Sequence, residues 1–181
     1  ISKFDIVEGI LADFNGSVKT AKGNGVGCGD ILRMYEGTKG NTITFIVGVW
    51  KQTGKKVKTF STIYEFYIDP SHHNVLWEGM KLNTLSKFDC YIKSIPHGKK
   101  GQKANQKLWK EKRADIYHEE GKGLMSIDAK VDSEKQRRVQ CSFKIKKMIE
   151  AGIPHKEFTD EYRGILLPYI YDKSPARTFN K

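Results

Sequence analysis

Two stretches of this chain alternate apolar and polar residues with the period of an extended strand, and a turn joins them. Ile43, Phe45, Val47 and Val49 take every second position up to Trp50, and Phe60, Thr62, Tyr64, Phe66 and Ile68 do the same after Gln52-Thr53-Gly54-Lys55. A period of two puts every second side chain on one face, so the pattern predicts an antiparallel meander with one face buried. Met125, Ile127, Ala129 and Val131 alternate in the same way with Ser126, Asp128 and Lys130, and Phe88, Cys90 and Ile92 with Asp89, Tyr91 and Lys93, predicting two further strands. Two helices are expected beside them. Phe4, Val7, Ile10, Leu11 and Phe14 form one stripe between a Ser2/Asp5 start and an Asn15-Gly16 stop, and Lys103, Lys107 and Lys110 recur at helical spacing over Ala104, Leu108 and Trp109. The fold class expected is therefore α+β: a mixed, largely antiparallel sheet with an N-terminal helix and a basic helix near 102–113, in a single domain spanning 1–181.

Other segments are read less directly. Gly23 to Gly29 reads as a flexible loop leading into a strand at 30–35, after the N-terminal helix. A dinucleotide fingerprint needs the opposite order, a strand before the glycines and a helix after them, so that site is excluded on this reading. His72 and His73 read as a loop pair, since neighbours on an extended chain point opposite ways and no cysteine lies at ligand spacing. Residues 136–149 support two readings. Val139, Cys141, Phe143 and Ile145 alternate as in a strand, while Cys141, Ile145, Met148 and Ile149 make one helical stripe. Gly152 and Pro154 end that segment, and Ile165 to Tyr171, broken by Pro168, suits an edge strand.

With 181 residues and 38% hydrophobic content the chain is long enough to bury a core without staples. Its three cysteines, at 28, 90 and 141, have neither metal-knuckle nor redox spacing and read as buried free thiols of a reducing compartment. No apolar run approaches a membrane span and no signal-peptide pattern opens the chain, so a soluble intracellular protein is expected, without a membrane partner. The net charge of +11 is uneven: residues 1–90 carry eleven Lys and Arg against nine acids, and 91–181 carry twenty-one against twelve. Such asymmetry attracts polyanions, and the partner expected is nucleic acid, DNA ahead of RNA. Lys103, Lys107, Lys110 and Arg113 on the basic helix, with Arg137 and Arg138 further on, are the residues expected to contact phosphates. A second copy of the chain is a further candidate partner.

A turn at Glu119 to Gly123 would fold the run from Asp115 back toward the 125–131 strand as a hairpin, bringing Asp115 near Asp128 and Lys130. Two carboxylates and a lysine are the minimum for holding a divalent cation against a phosphodiester. Ala114-Asp115, followed after twelve residues by Asp128-Ala129-Lys130, resembles the PD-(D/E)XK nuclease superfamily, with alanine where that family often has proline. The resemblance covers only this motif region. It implies that Asp115 and Asp128 bind Mg2+ with the Ala129 carbonyl, that Lys130 steers the attacking water, and that the protein is a metal-dependent endonuclease of restriction or resolvase type. The opposing reading is a non-enzymatic protein without cofactor: a strand-rich nucleic-acid-binding module, or a viral or other assembly component. It explains the meander, the basic surface and aromatics such as Tyr64, Phe66, Tyr67 and Trp77 without a metal.

Overall fold

A computed structural model describes residues 16–52, 54, 58–95, 103–131 and 137–159. The hairpin expected from the period-two pattern forms: β3 (Ile43–Gln52) and β4 (Lys58–Ile68) pair antiparallel, with Phe45 opposite Phe66 and Val47 opposite Tyr64. β1 (Gly16–Ala21) lies parallel to β3 on one side, and β7 (His155–Phe158) antiparallel to β4 on the other, giving a mixed four-stranded sheet in the order β1-β3-β4-β7. From β1 the chain turns through Lys22–Asn24 into β2 (Gly25–Asp30), which belongs to a second, antiparallel sheet of order β2-β6-β5, where β5 is Ser126–Lys130 and β6 is Arg138–Lys144. The α+β class and the largely antiparallel, mixed sheet are as expected.

Phe143 on β6 joins the two sheets. Its ring meets Phe45 and Phe66 edge-on, at centroid distances of 5.5 and 5.8 Å, and all three are buried. Edge-to-face contact suits rings whose rims are positive and whose faces are negative. Ile43, Val47 and Ile68 from the first sheet and Val26, Ile127, Val139 and Cys141 from the second complete this core.

Among the described residues five α-helices pack around the sheets: α1 (Ile31–Gly40), α2 (His73–Trp77), α3 (Leu82–Ser94), α4 (Lys103–Glu120) and α5 (Ile145–Glu150). The segment after the glycines is a helix and not a strand. Asp30 caps α1 by accepting the Arg33 N–H at 3.0 Å, and the glycines themselves are strand β2. Strand β1 precedes them and helix α1 follows, so the order used above against a dinucleotide site is corrected. The site is excluded on other ground: Gly25, Gly27 and Gly29 pair with β6, with a register shift between Gly27 and Gly29, and do not form a turn between a strand and a helix. The strand expected at 88–93 is likewise helical. Leu85, Phe88, Asp89 and Ile92 form its buried stripe, and Cys90 is exposed, so only Cys28 and Cys141 are the buried thiols expected. Asp89 Oδ1 accepts the Val139 N–H at 2.8 Å. β2 stops at Asp30, opposite Gln140, so the next residue of β6 has no strand partner there and the carboxylate takes its place.

Both readings of 136–149 hold in part, since β6 ends at Lys144 and α5 starts at Ile145. Asn24 ties this junction to the β1–β2 turn: its carbonyl accepts from Ile145 N at 2.9 Å and its side chain from Lys146 N at 2.8 Å. The histidines are not loop residues. His72 completes a capping box with Asp69, and His73 opens α2 with its Nδ1 3.0 Å from Thr38 Oγ1, which also accepts from Trp77 Nε1 at 2.9 Å. The helix expected at 2–14 and the strand expected at 165–171 lie outside the described residues. Among the described residues no helix is long and apolar enough to cross a membrane.

Candidate nucleic-acid interface

The basic helix exists and runs further than its spacing suggested, through Asp115 to Glu120. No hairpin carries Asp115 back toward β5. Instead α4 lies along the free edge of β5, an edge strand whose unpaired backbone groups would otherwise invite another strand. Ile127 donates its N–H to Tyr117 Oη at 2.6 Å and its carbonyl accepts from Arg113 Nη1 at 2.9 Å. These two side chains stand one turn apart on α4 and cap both free groups of one strand residue. The Arg113 guanidinium also packs 4.9 Å from the Trp109 ring centroid and 5.9 Å from that of Tyr117. Burial raises the Tyr117 phenol above its ordinary pKa, with Asp128 adding to the rise and the Ile127 N–H and Arg113 opposing it, so the hydroxyl stays protonated.

Asp115 lies two residues beyond Arg113, about 200° round the helix axis, and is exposed. It faces away from the strand that bears Asp128. Asp128 is itself engaged: Oδ2 accepts from Ser142 Oγ at 2.7 Å and Oδ1 is 3.5 Å from Arg113 Nη1. A carboxylate already holding a guanidinium is a poor ligand for Mg2+, because the two cations repel. Among the described residues no three His, Cys, Asp or Glu side chains gather as a metal-holding group. Asp115, Asp128 and the Ala129 carbonyl therefore do not fit a magnesium site as arranged.

The structure brings together a different set. On the outer face of the second sheet, Ser126, Asp128 and Lys130 of β5 stand beside Arg138, Gln140, Ser142 and Lys144 of β6, while the alternate residues fill the core. With the Gln140 amide turned to accept, its oxygen is 3.2 and 3.3 Å from Arg138 Nε and Nη2. β2 completes this face with Gly25 opposite Lys144 and Gly27 opposite Ser142. A methyl at either glycine would meet nothing within 4 Å, and neither has a left-handed φ. Neither backbone conformation nor packing requires glycine there, and the result is bare, open backbone beside a row of polar and basic side chains.

Of the residues expected to contact phosphates, Lys107 and Lys110 are exposed on α4, and Arg138 lies on the open face. Lys107 makes a 3.7 Å surface pair with Glu111, and Lys110 Nζ sits 6.0 Å from the Trp109 ring centroid. Arg113 is committed to β5, and Arg137 donates to the Ile95 carbonyl at the end of α3. Lys103 starts α4, but its side chain lies outside the described residues. Lys130, expected to steer a water, stands instead at a cavity of about 480 Å3 between α4 and the β5–β6 face, which Lys110 and Gln140 also line. Sequence reasoning missed Lys144, Gly25 and Gly27, although Gly25-Val26-Gly27-Cys28 carries a period-two signal with glycine as its outer residue.

Comparison of the chain with protein-family models, with curated proteins and with solved structures finds no match.

Proposed function

We propose that this protein binds the phosphodiester backbone of nucleic acid on the outer face of the β2-β6-β5 sheet and the adjoining exposed side of α4, and that binding, not hydrolysis, is its activity. The observation that carries this reading is the open face itself: Lys130, Arg138 and Lys144 beside the unfilled glycines of β2, with Lys107 and Lys110 at its border. Phosphates are held by side-chain cations and by backbone N–H groups, and glycine lets a strand of nucleic acid approach the backbone closely. The net charge of +11 provides the long-range attraction. DNA and RNA share this chemistry.

The test is a titration of labelled single strand and duplex at two salt concentrations. If five cations meet phosphates, single-strand affinity falls about a hundredfold between about 50 and 200 mM salt. Replacing Lys107 and Lys110 with glutamate weakens binding to every sequence and flattens that slope. With Mg2+ present the bound strand stays intact, and Asp128→Asn changes nothing in its length. Affinity indifferent to salt, or magnesium-dependent nicking abolished by Asp128→Asn, sinks the proposal.

A further inference from the structure

We propose that the cavity between α4 and the end of β5 receives a single unpaired nucleotide. Its volume, about 480 Å3, lies within the range of small-ligand sites and is several times what an isolated phosphate needs. Its lining has three parts. Trp109, Ala129 and Val131 give apolar walls, Gln106 gives an amide that both donates and accepts, Gln140 gives the donor end of an amide whose oxygen is held by Arg138, and Lys110 and Lys130 give ammonium groups. Every charged lining residue is cationic, which disfavours a cationic ligand, and the amides would be wasted on a purely apolar one. A nucleotide uses all three: an anionic phosphate, a flat ring, and a base edge carrying donors and acceptors.

Trp109 lines the cavity and is only 7% exposed. Its indole Nε1 is buried, with no hydrogen-bond partner among the described residues. Arg113 already packs against the ring, so Trp109 serves as an apolar wall and not as a stacking platform. A base held in a duplex stack cannot enter a cavity of this kind, so the nucleotide is unpaired. This inference rests on the nucleic-acid reading for the source of the nucleotide, which is either a unit of a strand or a free nucleotide.

The experiment follows the indole N–H signals of the 15N-labelled protein. The chain has three tryptophans; Trp109→Phe identifies the signal that belongs to the cavity, and Trp77, bonded to Thr38, is the internal control. Titration with a nucleoside monophosphate and with a single-stranded oligonucleotide is expected to move the Trp109 signal, and titration with inorganic phosphate or duplex to leave it in place. Ala129→Phe, which fills the cavity, is expected to cut the preference for single strand over duplex about tenfold, the worth of one held base. Gln106→Ala, on the exposed side of α4, should cut it in the same direction should the larger side chain disturb the fold. A shift with the monophosphate and not with the oligonucleotide supports the nucleotide site and overturns the strand as its source. If single strand and duplex both bind while no nucleotide moves the Trp109 signal, the cavity is no nucleotide site and the nucleic-acid reading stands. If no nucleic acid and no nucleotide binds, both fall.

Discussion

Gly79 and Gly123 sit where a single methyl has no room, and Gly25 and Gly27 sit where one would meet nothing. At the junction of α2, α3 and α4, a Cβ on Gly79 would lie 2.2 Å from the Glu120 carbonyl oxygen, and one on Gly123 would lie 2.3 Å from that of Leu76. The segment after α4 is laced to α2 there by Met125 N to Leu76 O at 2.9 Å, and Glu120 closes the start of α3 by accepting from Lys81 N and Thr84 Oγ1 at 3.0 and 2.7 Å. On the open sheet face none of this holds. The first pair of glycines is explained by the fold; the second leaves a loss of about 0.5–1 kcal/mol each that nothing in the fold requires. An unexplained cost on a basic, open face is what a binding surface would produce, and the two regions predict opposite responses to the same substitution.

The largest effect is expected at the closed junction. Gly123→Ala forces backbone apart from backbone and should lower stability by about 3 kcal/mol or more in denaturant unfolding; a loss near zero would mean that the junction is loose and the comparison empty. Asp89→Ala removes the acceptor of the Val139 N–H and the partner of Lys93, with an expected loss of about 2–3 kcal/mol. Lys93, whose pKa is raised chiefly by its hydrogen bond to Asp89, should then titrate closer to its ordinary value.

His73 sharpens the picture of the closed side through pH. Burial, and then the Lys39 charge, hold its pKa below the ordinary 6.5. The unfolded chain therefore takes up the proton first as pH falls, so the stabilisation is complete above about pH 6.5 and is lost progressively below it. The thermal midpoint should drop between about pH 7.5 and about pH 5.5, and His73→Gln should remove that part of the drop. Smallest in stability is Gly25→Ala with Gly27→Ala, expected to raise it by about 0.5–1 kcal/mol per site while weakening nucleic-acid binding. A loss of stability at these sites would show that the fold does need them.

The meander and the strand at 126–130 were legible because their buried and exposed faces alternate without interruption. α3 was not. Phe88, Cys90 and Ile92 satisfy a strand, Leu85, Phe88 and Ile92 satisfy a helix, and the residue that decides, Asp89, is a buried acid whose partner lies fifty positions away on β6. β2 was hidden by its glycines, which are depleted in strands, and α1 by Ile31 and Arg33, although the Asp30 cap was present to be read. The candidate site was half legible. Charge located the basic half and spacing located α4, but pairing Asp115 with Asp128 assumed that a turn near residue 120 closes a hairpin, whereas residues from Trp109 to Tyr117 continue the helix and turn Arg113 and Tyr117 onto β5. Which side of a helix an acid occupies is fixed by its tertiary partners, and those carry no local signature.

The most direct measurement is amide chemical-shift mapping of the 15N-labelled protein against a short single-stranded oligonucleotide. The account predicts perturbations that cluster on Gly25, Gly27, Lys130, Arg138, Gln140 and Ser142 and on the exposed side of α4 around Lys107 and Lys110, fading as salt is raised. Perturbations confined to the β1-β3-β4-β7 sheet, or none at an oligonucleotide concentration well above that of the protein, would contradict it.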